Sequence, residues 1–428
     1  MRERIPSRRT GGLSAAARRL RPVTIMRLAL RERFALAATA LLLVVTAIAA
    51  PSSQDWIPFQ TASLLVSKGL WSDVYPMASA GSLFDVTPRF SQAAASIASF
   101  PPGTLPGFVA PPPAAFLALV FQALPPAAAQ ALARLAQIVP LLIALVWQER
   151  ALRDRSPNGR SDWSLLLLSS VPLLFYTVLV GQPSAWLVPA VAATLLPPSK
   201  TTDTVGGVCL ALAALCKATP LALIPALWWL GRRRLAVIAG GVVVAATIVT
   251  LPFTPMSAWI GFLQTVSRLS SVVIADWNNL APDAFFTLWG RGTAGENWEA
   301  ALSVERAAGV SIRIALLGAA VYVVVARSTS GSTRRHAALW LAWLSASPLL
   351  WLHYLVVLLP VCAFELQSSR SGSALMALVS FVLLCRVAGL SPFATGIGLG
   401  VVWLVSASVL LGQWISSCSR PPLGDATT

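Results

Sequence analysis

Apolar runs follow one another along most of the chain, at 34–50, 108–124, 127–148, 163–181, 183–197, 204–230, 235–252, 309–327, 337–350, 352–366, 373–390 and 395–415. Several reach the length of about 20 residues at which a helix crosses a bilayer. Two long polar stretches interrupt them, at about 51–107 and 253–308. The pattern predicts an all-α polytopic integral membrane protein with about 10–12 transmembrane helices. Residues 1–33 form a basic arm, 34–416 the membrane domain, and 417–428 a short tail. In the first polar stretch, Ile57, Leu64 and Leu65 recur at helical spacing. A helix over Trp56–Leu70 is expected to lie at the membrane surface.

Two segments break the simple count. If 108–124 and 127–148 both crossed, the basic run Arg150–Arg160 would fall on the side opposite the other basic loops. One of the two is therefore expected to be re-entrant or broken, as Pro111-Pro112-Pro113 and Pro125-Pro126 allow. The run 204–230 is too long for one straight span and is interrupted at Lys217-Ala218-Thr219-Pro220. Ala47-Ile48-Ala49 resembles a signal cleavage site. An uncleaved first span is nevertheless expected, because the chain behind it is membrane-embedded.

Composition narrows the class. The chain is 56% hydrophobic and 11% charged, with a mean hydropathy of +0.72, against about 25% charged in soluble domains. That excludes an ordinary soluble enzyme and a disordered chain. Five Cys in 428 residues exclude a disulfide scaffold. The net charge of +16 does not point to nucleic acid. The bases cluster between apolar runs, at Arg2–Arg33, Arg150–Arg160, Arg232–Arg234 and Arg327–Arg335, as cytoplasmic loops do. Residues 1–33 alone hold ten Arg and two Glu. The N-terminus is thus expected inside and the two long polar stretches outside. A high Ala, Arg and Pro content suggests a GC-rich bacterial genome, hence a bacterial plasma (inner) membrane.

With 16 acids in the whole chain, each one matters. Asp55 comes five residues after the first apolar run, at the depth of the lipid headgroups. A carboxylate there is partly desolvated and suited to take a proton from a hydroxyl; the alternative is a helix N-cap before Trp-Ile-Pro-Phe. Gly181-Gln182-Pro183 reads as a tight helix–helix turn or as a glutamine offered to a polar ligand. Lys217 has no acid within ten residues on either side. A lysine in an apolar run is costly unless paired or hydrated, and a phosphate would pair it; the alternative is snorkelling to the interface. His353 is one of two histidines and sits at the break in Ser347-Pro348-Leu349-Leu350-Trp351-Leu352-His353-Tyr354. His336, among arginines, reads as solvated. There is no P-loop, GxSxG, HExxH or Cys/His cluster, so no metal site is expected.

Several of these pieces line up in order. After the first span come Gln54-Asp55-Trp56, Lys68-Gly69-Leu70-Trp71 and Val74-Tyr75-Pro76. Phe108-Val109-Ala110-Pro111-Pro112 then leads a run ending in Leu124-Pro125. Gly181-Gln182 follows, then Gly206-Gly207 and Lys217-Ala218-Thr219-Pro220, and last Ser347-Pro348 with Trp351 and His353. Over about residues 35–366 this arrangement resembles the family 87 glycosyltransferases, membrane enzymes of the GT-C class that include polyprenol-phosphate-mannose-dependent α-1,2-mannosyltransferases.

The resemblance implies a GT-C-type helical bundle with surface helices in the long first outer loop. It implies an inverting transfer of a sugar, mannose first, from a polyprenyl-phosphate donor to a lipid or glycan acceptor at the extracytoplasmic face. Asp55 would be the general base. Gln182, Lys217 and His353 would line the outward cavity, with Tyr75, Asn278 and Arg291 as further substrate contacts. Two departures stand out. Tyr354 takes the place of a second histidine, and the motif of the second outer loop survives only as Asn278-Asn279-Leu280. A leaving phosphate monoester needs no divalent metal in principle, so no cofactor is expected. The expected partners are the donor, the acceptor and membrane lipid, with no nucleic acid. The rival from another class is a transporter or flippase using Lys217 and the broken helices as a path, against which no internal repeat is found.

Overall fold

A computed structural model describes residues 21–50, 55–75, 85–98, 105–155, 163–271, 273–275, 279, 281, 283–284, 297–299, 307–315, 317–318, 332–347, 350–365 and 371–387. The described architecture is helical. The first span lies in α1 (Arg21–Ala49). The first polar stretch holds α2 (Ile57–Ser67) and α3 (Pro88–Ala95), and α4 (Ala114–Leu117) follows it. Then come α5 (Pro126–Arg155), α6 (Trp163–Val180), α7 (Leu187–Leu195), α8 (Lys200–Cys216), α9 (Leu223–Trp229), α10 (Arg233–Thr250) and α11 (Met256–Ser271). The C-terminal part adds α12 (Ser332–Ala346), α13 (Leu358–Glu365) and α14 (Ser371–Val387). One antiparallel ribbon, β1 (Val273–Ala275) with β2 (Asn297–Glu299), departs from the all-α expectation.

Four helices are long and apolar enough to span a membrane among the described residues: Leu30–Ala49, Pro126–Asp154, Trp163–Val180 and Arg233–Phe253. The expected 10–12 spans are more than this, and two causes are visible. Several apolar runs are chopped by proline into pieces below spanning length, such as Pro183–Leu195 and Thr219–Trp229. Others, including 395–415 and most of 309–327, lie outside the described residues, as does the tail 417–428. The doubt over 108–124 is resolved by α4 and a single 3-10 turn at Leu119–Phe121, while α5 runs for 30 residues.

The helix α2 forms where expected but does not lie bare on a surface. Eight of its eleven residues are buried, from Ile57 to Leu65. Its Trp56–Phe59 end stacks (5.1 Å between centroids) and meets Phe108 and Phe121 edge-on. Such aromatic packing offsets the low amphipathic contrast of the helix. Thr87 caps α3 by accepting from the Phe90 N–H at 3.1 Å. The two polar stretches are fastened to each other. Trp71 Nε1 donates to the Phe253 carbonyl (3.0 Å), and Tyr75 packs on Phe108 and Phe262.

The core of the bundle is built on close helix approach. The helix α8 lies against both α7 and α10. A Cβ on Gly206 would come to 2.5 Å from the Ala193 Cβ, and one on Gly207 to 2.8 Å from the Leu235 carbonyl oxygen. Small residues at these points let the backbones meet as membrane helices do. At the start of α8 and α10, a buried Arg232–Asp203 pair (2.8 Å) closes the junction, with the guanidinium also donating to the Leu196 and Ala193 carbonyls.

These contacts orient the bundle. The C-terminal end of α1, the first turns of α5 and the C-terminal ends of α6 and α8 gather at one end. The starts of α1, α6, α8 and α10 and the end of α5 lie at the other, with Arg31, Arg33, Arg150, Arg153, Lys200 and Arg232–Arg234.

Candidate functional site

Asp55 owes its place to the ends of two spans. Beyond α1 the chain turns, and the Asp55 N–H donates to the Val180 carbonyl (3.2 Å), the last residue of α6. There α6 closes as a Schellman turn: Gly181 N–H donates to Val178 (3.1 Å) and Gln182 N–H to Thr177 (3.3 Å). Gly181 sits at φ +72°, a conformation that costs glycine little and other residues more. Gln182 leaves the turn extended and starts the 3-10 helix Pro183–Trp186. Its side chain hydrogen-bonds the Asp55 carboxylate. The N-cap alternative for Asp55 is not what forms: Trp56 holds the N-cap position of α2, without a side-chain capping bond.

Lys217 arrives at the same place from α8. Pro220 would collide with the Cys216 carbonyl in a continuing helix, so α8 stops at Cys216 and Lys217 turns extended. Its ammonium stands over the Tyr354 ring, 4.1 Å from the centroid, and interacts electrostatically with Asp55. Neither snorkelling nor an ion pair at hydrogen-bond distance describes it. Tyr354 and His353 come from the 3-10 helix Leu352–Val357. Their rings lie 4.9 Å apart, and Trp343 meets Tyr354 edge-on at 5.8 Å. Both are 3% exposed, yet Nε2 of His353 and the Tyr354 hydroxyl have no hydrogen-bond partner among the described residues. Asp55, Gln182 and Lys217 are half-buried.

The electrostatics suit proton transfer. Burial pushes the Asp55 pKa up from 3.8 to about 6, while the Gln182 hydrogen bond and the Lys217 charge pull it back. The carboxylate is therefore ionised at neutral pH but far more basic than an exposed aspartate.

The structure thus brings together four of the residues singled out in the sequence, Asp55, Gln182, Lys217 and His353. Tyr75 is engaged otherwise: its hydroxyl donates to the Ala110 carbonyl (2.8 Å), and its ring anchors the first polar stretch on α11. Asn278 and Arg291 lie outside the described residues. Their neighbour Asn279 is described and buried. Its Oδ1 accepts from the Leu350 and Ala281 N–H groups (both 3.1 Å), and it bridges to Trp351. It thereby holds the segment that leads into His353.

Sequence reasoning passes over three more. Tyr354 registers only as a departure from a motif, although it seats Lys217. Arg134 and Gln137, both buried in α5, grip the chain on either side of the Asp55–Gln182 contact. A signal for them exists: Gln130, Arg134 and Gln137 fall at helical spacing within an apolar run, a polar stripe on one face of a span. Among the described residues no group of His, Cys, Asp and Glu is arranged to hold a metal ion.

Comparison with known proteins bears on what such a cluster serves. No significant match is found among curated proteins or among solved structures. The family model of glycosyltransferase family 87 matches residues 108–344, which take in Gln182 and Lys217, with Asp55 before the match and His353 after it. The match covers more than half of the chain, and the chain belongs to glycosyltransferase family 87, a family of membrane glycosyltransferases.

Proposed function

We propose that the protein transfers a sugar, mannose first among candidates, from a polyprenyl-phosphate donor to a lipid or glycan acceptor, with inversion at the anomeric carbon. The observation that carries this reading is the meeting of Asp55 with Gln182 and Lys217, residues far apart in sequence, at one end of the bundle. A basic carboxylate and a cation side by side match the two needs of such a displacement.

In this reading the acceptor hydroxyl lies against Asp55. As its oxygen attacks the anomeric carbon, the proton passes to the Asp55 carboxylate, the new glycosidic bond forms, and the bond from the anomeric carbon to the phosphate oxygen breaks. The electron pair leaves with the polyprenyl phosphate. Lys217 stabilises the charge gathering on that phosphate, and His353 Nε2 and the Tyr354 hydroxyl offer further polar contacts. Gln182 orients the carboxylate. The protonated Asp55 returns its proton to the departing phosphate or to water. One carboxylate at the acceptor suffices for a single displacement.

Sidedness follows the same logic. The Asp55 end lies opposite the basic end of the bundle, and basic loops stay in the cytoplasm. That supports an extracytoplasmic site and a cytoplasmic N-terminus.

The test is transfer by the purified full chain in nanodiscs, with radiolabelled polyprenol-phosphate-mannose as donor and cell-envelope lipid as acceptor. NMR of the product reads its anomeric configuration. Transfer with inversion is expected. Retention of configuration, or no transfer from any polyprenyl-phosphate sugar, would overturn the reading.

A further inference from the structure

The polar stripe on α5 is used by nothing in the chemistry above. Arg134 is 1% exposed and Gln137 fully buried, one helical turn apart. Arg134 Nη1 donates to the Ala47 carbonyl (3.3 Å) and the Ala50 carbonyl (3.1 Å). The Ala47 carbonyl is among those left without an intrahelical partner at the end of α1. Gln137 Nε2 donates to the Gly181 carbonyl (3.0 Å), in the peptide that joins the Schellman turn to Gln182. A third tie follows one residue before Gln137. Pro140 lacks the N–H that would occupy the Ala136 carbonyl, and Trp186 Nε1 donates to that carbonyl instead (3.3 Å). The chain on both sides of the Asp55–Gln182 contact is thus pinned to one rigid helix.

Stability alone does not account for this choice. A guanidinium in an apolar span is expensive, and Nε and Nη2 of Arg134 have no hydrogen-bond partner among the described residues. An apolar side chain at this position would avoid that cost. What an apolar side chain cannot do is bind two carbonyls at once in a fixed fork.

We infer that Arg134 and Gln137 are positioning residues for the transfer: from α5 they fix the end of α1 and the turn after α6 in the register that sets the Asp55 carboxylate against the Gln182 amide. The inference rests on the reading of Asp55 as the base. Neither residue touches substrate in this account. Each acts through backbone carbonyls, so what it controls is the placement of the carboxylate relative to Gln182, Lys217 and Tyr354. Misplacement by about 1 Å is enough to cost on the order of 100-fold in rate.

The experiment compares Gln137→Met, Arg134→Met, Arg134→Lys and Asp55→Asn with wild type, as purified full chains in nanodiscs. Folded protein is quantified by size-exclusion chromatography, and kcat per folded molecule, donor KM and the pH profile are measured. Gln137→Met is near-isosteric and neutral, so it carries the test even where Arg134→Met fails to fold. It is expected to lower kcat by about 10-fold to 100-fold, to leave donor KM within about two-fold, and to move the acidic limb of the pH profile upward as the Gln182 hydrogen bond loosens. Arg134→Lys is expected to regain part of what Arg134→Met loses. A folded Gln137→Met with wild-type kcat and pH profile, beside an inactive Asp55→Asn, would overturn the positioning role and leave the base intact. An active Asp55→Asn would overturn the base assignment and the inference with it.

Discussion

A carboxylate accepts a proton only while it is ionised, so in the proposed mechanism the environment of Asp55 sets the pH range of transfer. Desolvation raises its pKa to about 6, and Gln182 and Lys217 keep it from rising further. Lowering the pH through this value protonates Asp55 and would remove the function proposed for it. Transfer is therefore expected to fall by about ten-fold per unit as the pH drops below about 6. A plateau extending down to the ordinary aspartate range, in a kcat/KM profile of folded enzyme, would contradict the environment described here. Gln182 and Lys217 were legible in the sequence because each is polar where its neighbours are apolar, and Asp55 because it follows the first apolar run at headgroup depth. The bond between the Asp55 and Gln182 side chains was not, since no local pattern encodes a contact across more than a hundred residues. Tyr354 was hidden for another reason: an aromatic in an apolar segment looks like core until a cation is found over its face.

At the scale of elements, the site depends on where helices stop. Pro220 ends α8 at Lys217, and the glycine at 181 ends α6 at Gln182. Both breaks can be read from sequence, because proline and glycine impose them locally. The fate of 108–124 could not be read that way, as composition alone does not separate a span from a broken, buried segment. Nor could the enclosure of α2, whose partners come from residues 88–121. The Gly206-Gly207 pair is a motif in the sequence, and its cause is seen only in the packing of α8 on α7 and α10. Gly207→Val would press a side chain against the Leu235 carbonyl and Ile238, which backbone cannot easily yield. A loss of about 1–3 kcal/mol is expected, read as a lower midpoint in a thermal melt in detergent. A variant that melts with the wild type would show that the helices are not in contact there.

For the whole molecule, the polarity of the bundle joins the sequence pattern to the chemistry. Basic residues mark one end in the sequence itself, and the contacts of α1, α5, α6 and α8 put the Asp55 cluster at the other. The family match, residues 108–344, supplies the reaction class. The geometry adds which groups meet, and it is the carboxylate on which everything else converges. The most direct measurement is sugar transfer by Asp55→Asn beside wild type, in nanodiscs, normalised to folded protein. The amide keeps the shape and the Gln182 contact but cannot take a proton. A loss of about 100-fold to 10,000-fold in kcat, with the donor still bound, is the expected result. Transfer at the wild-type rate by the folded variant would contradict the account and move the base elsewhere.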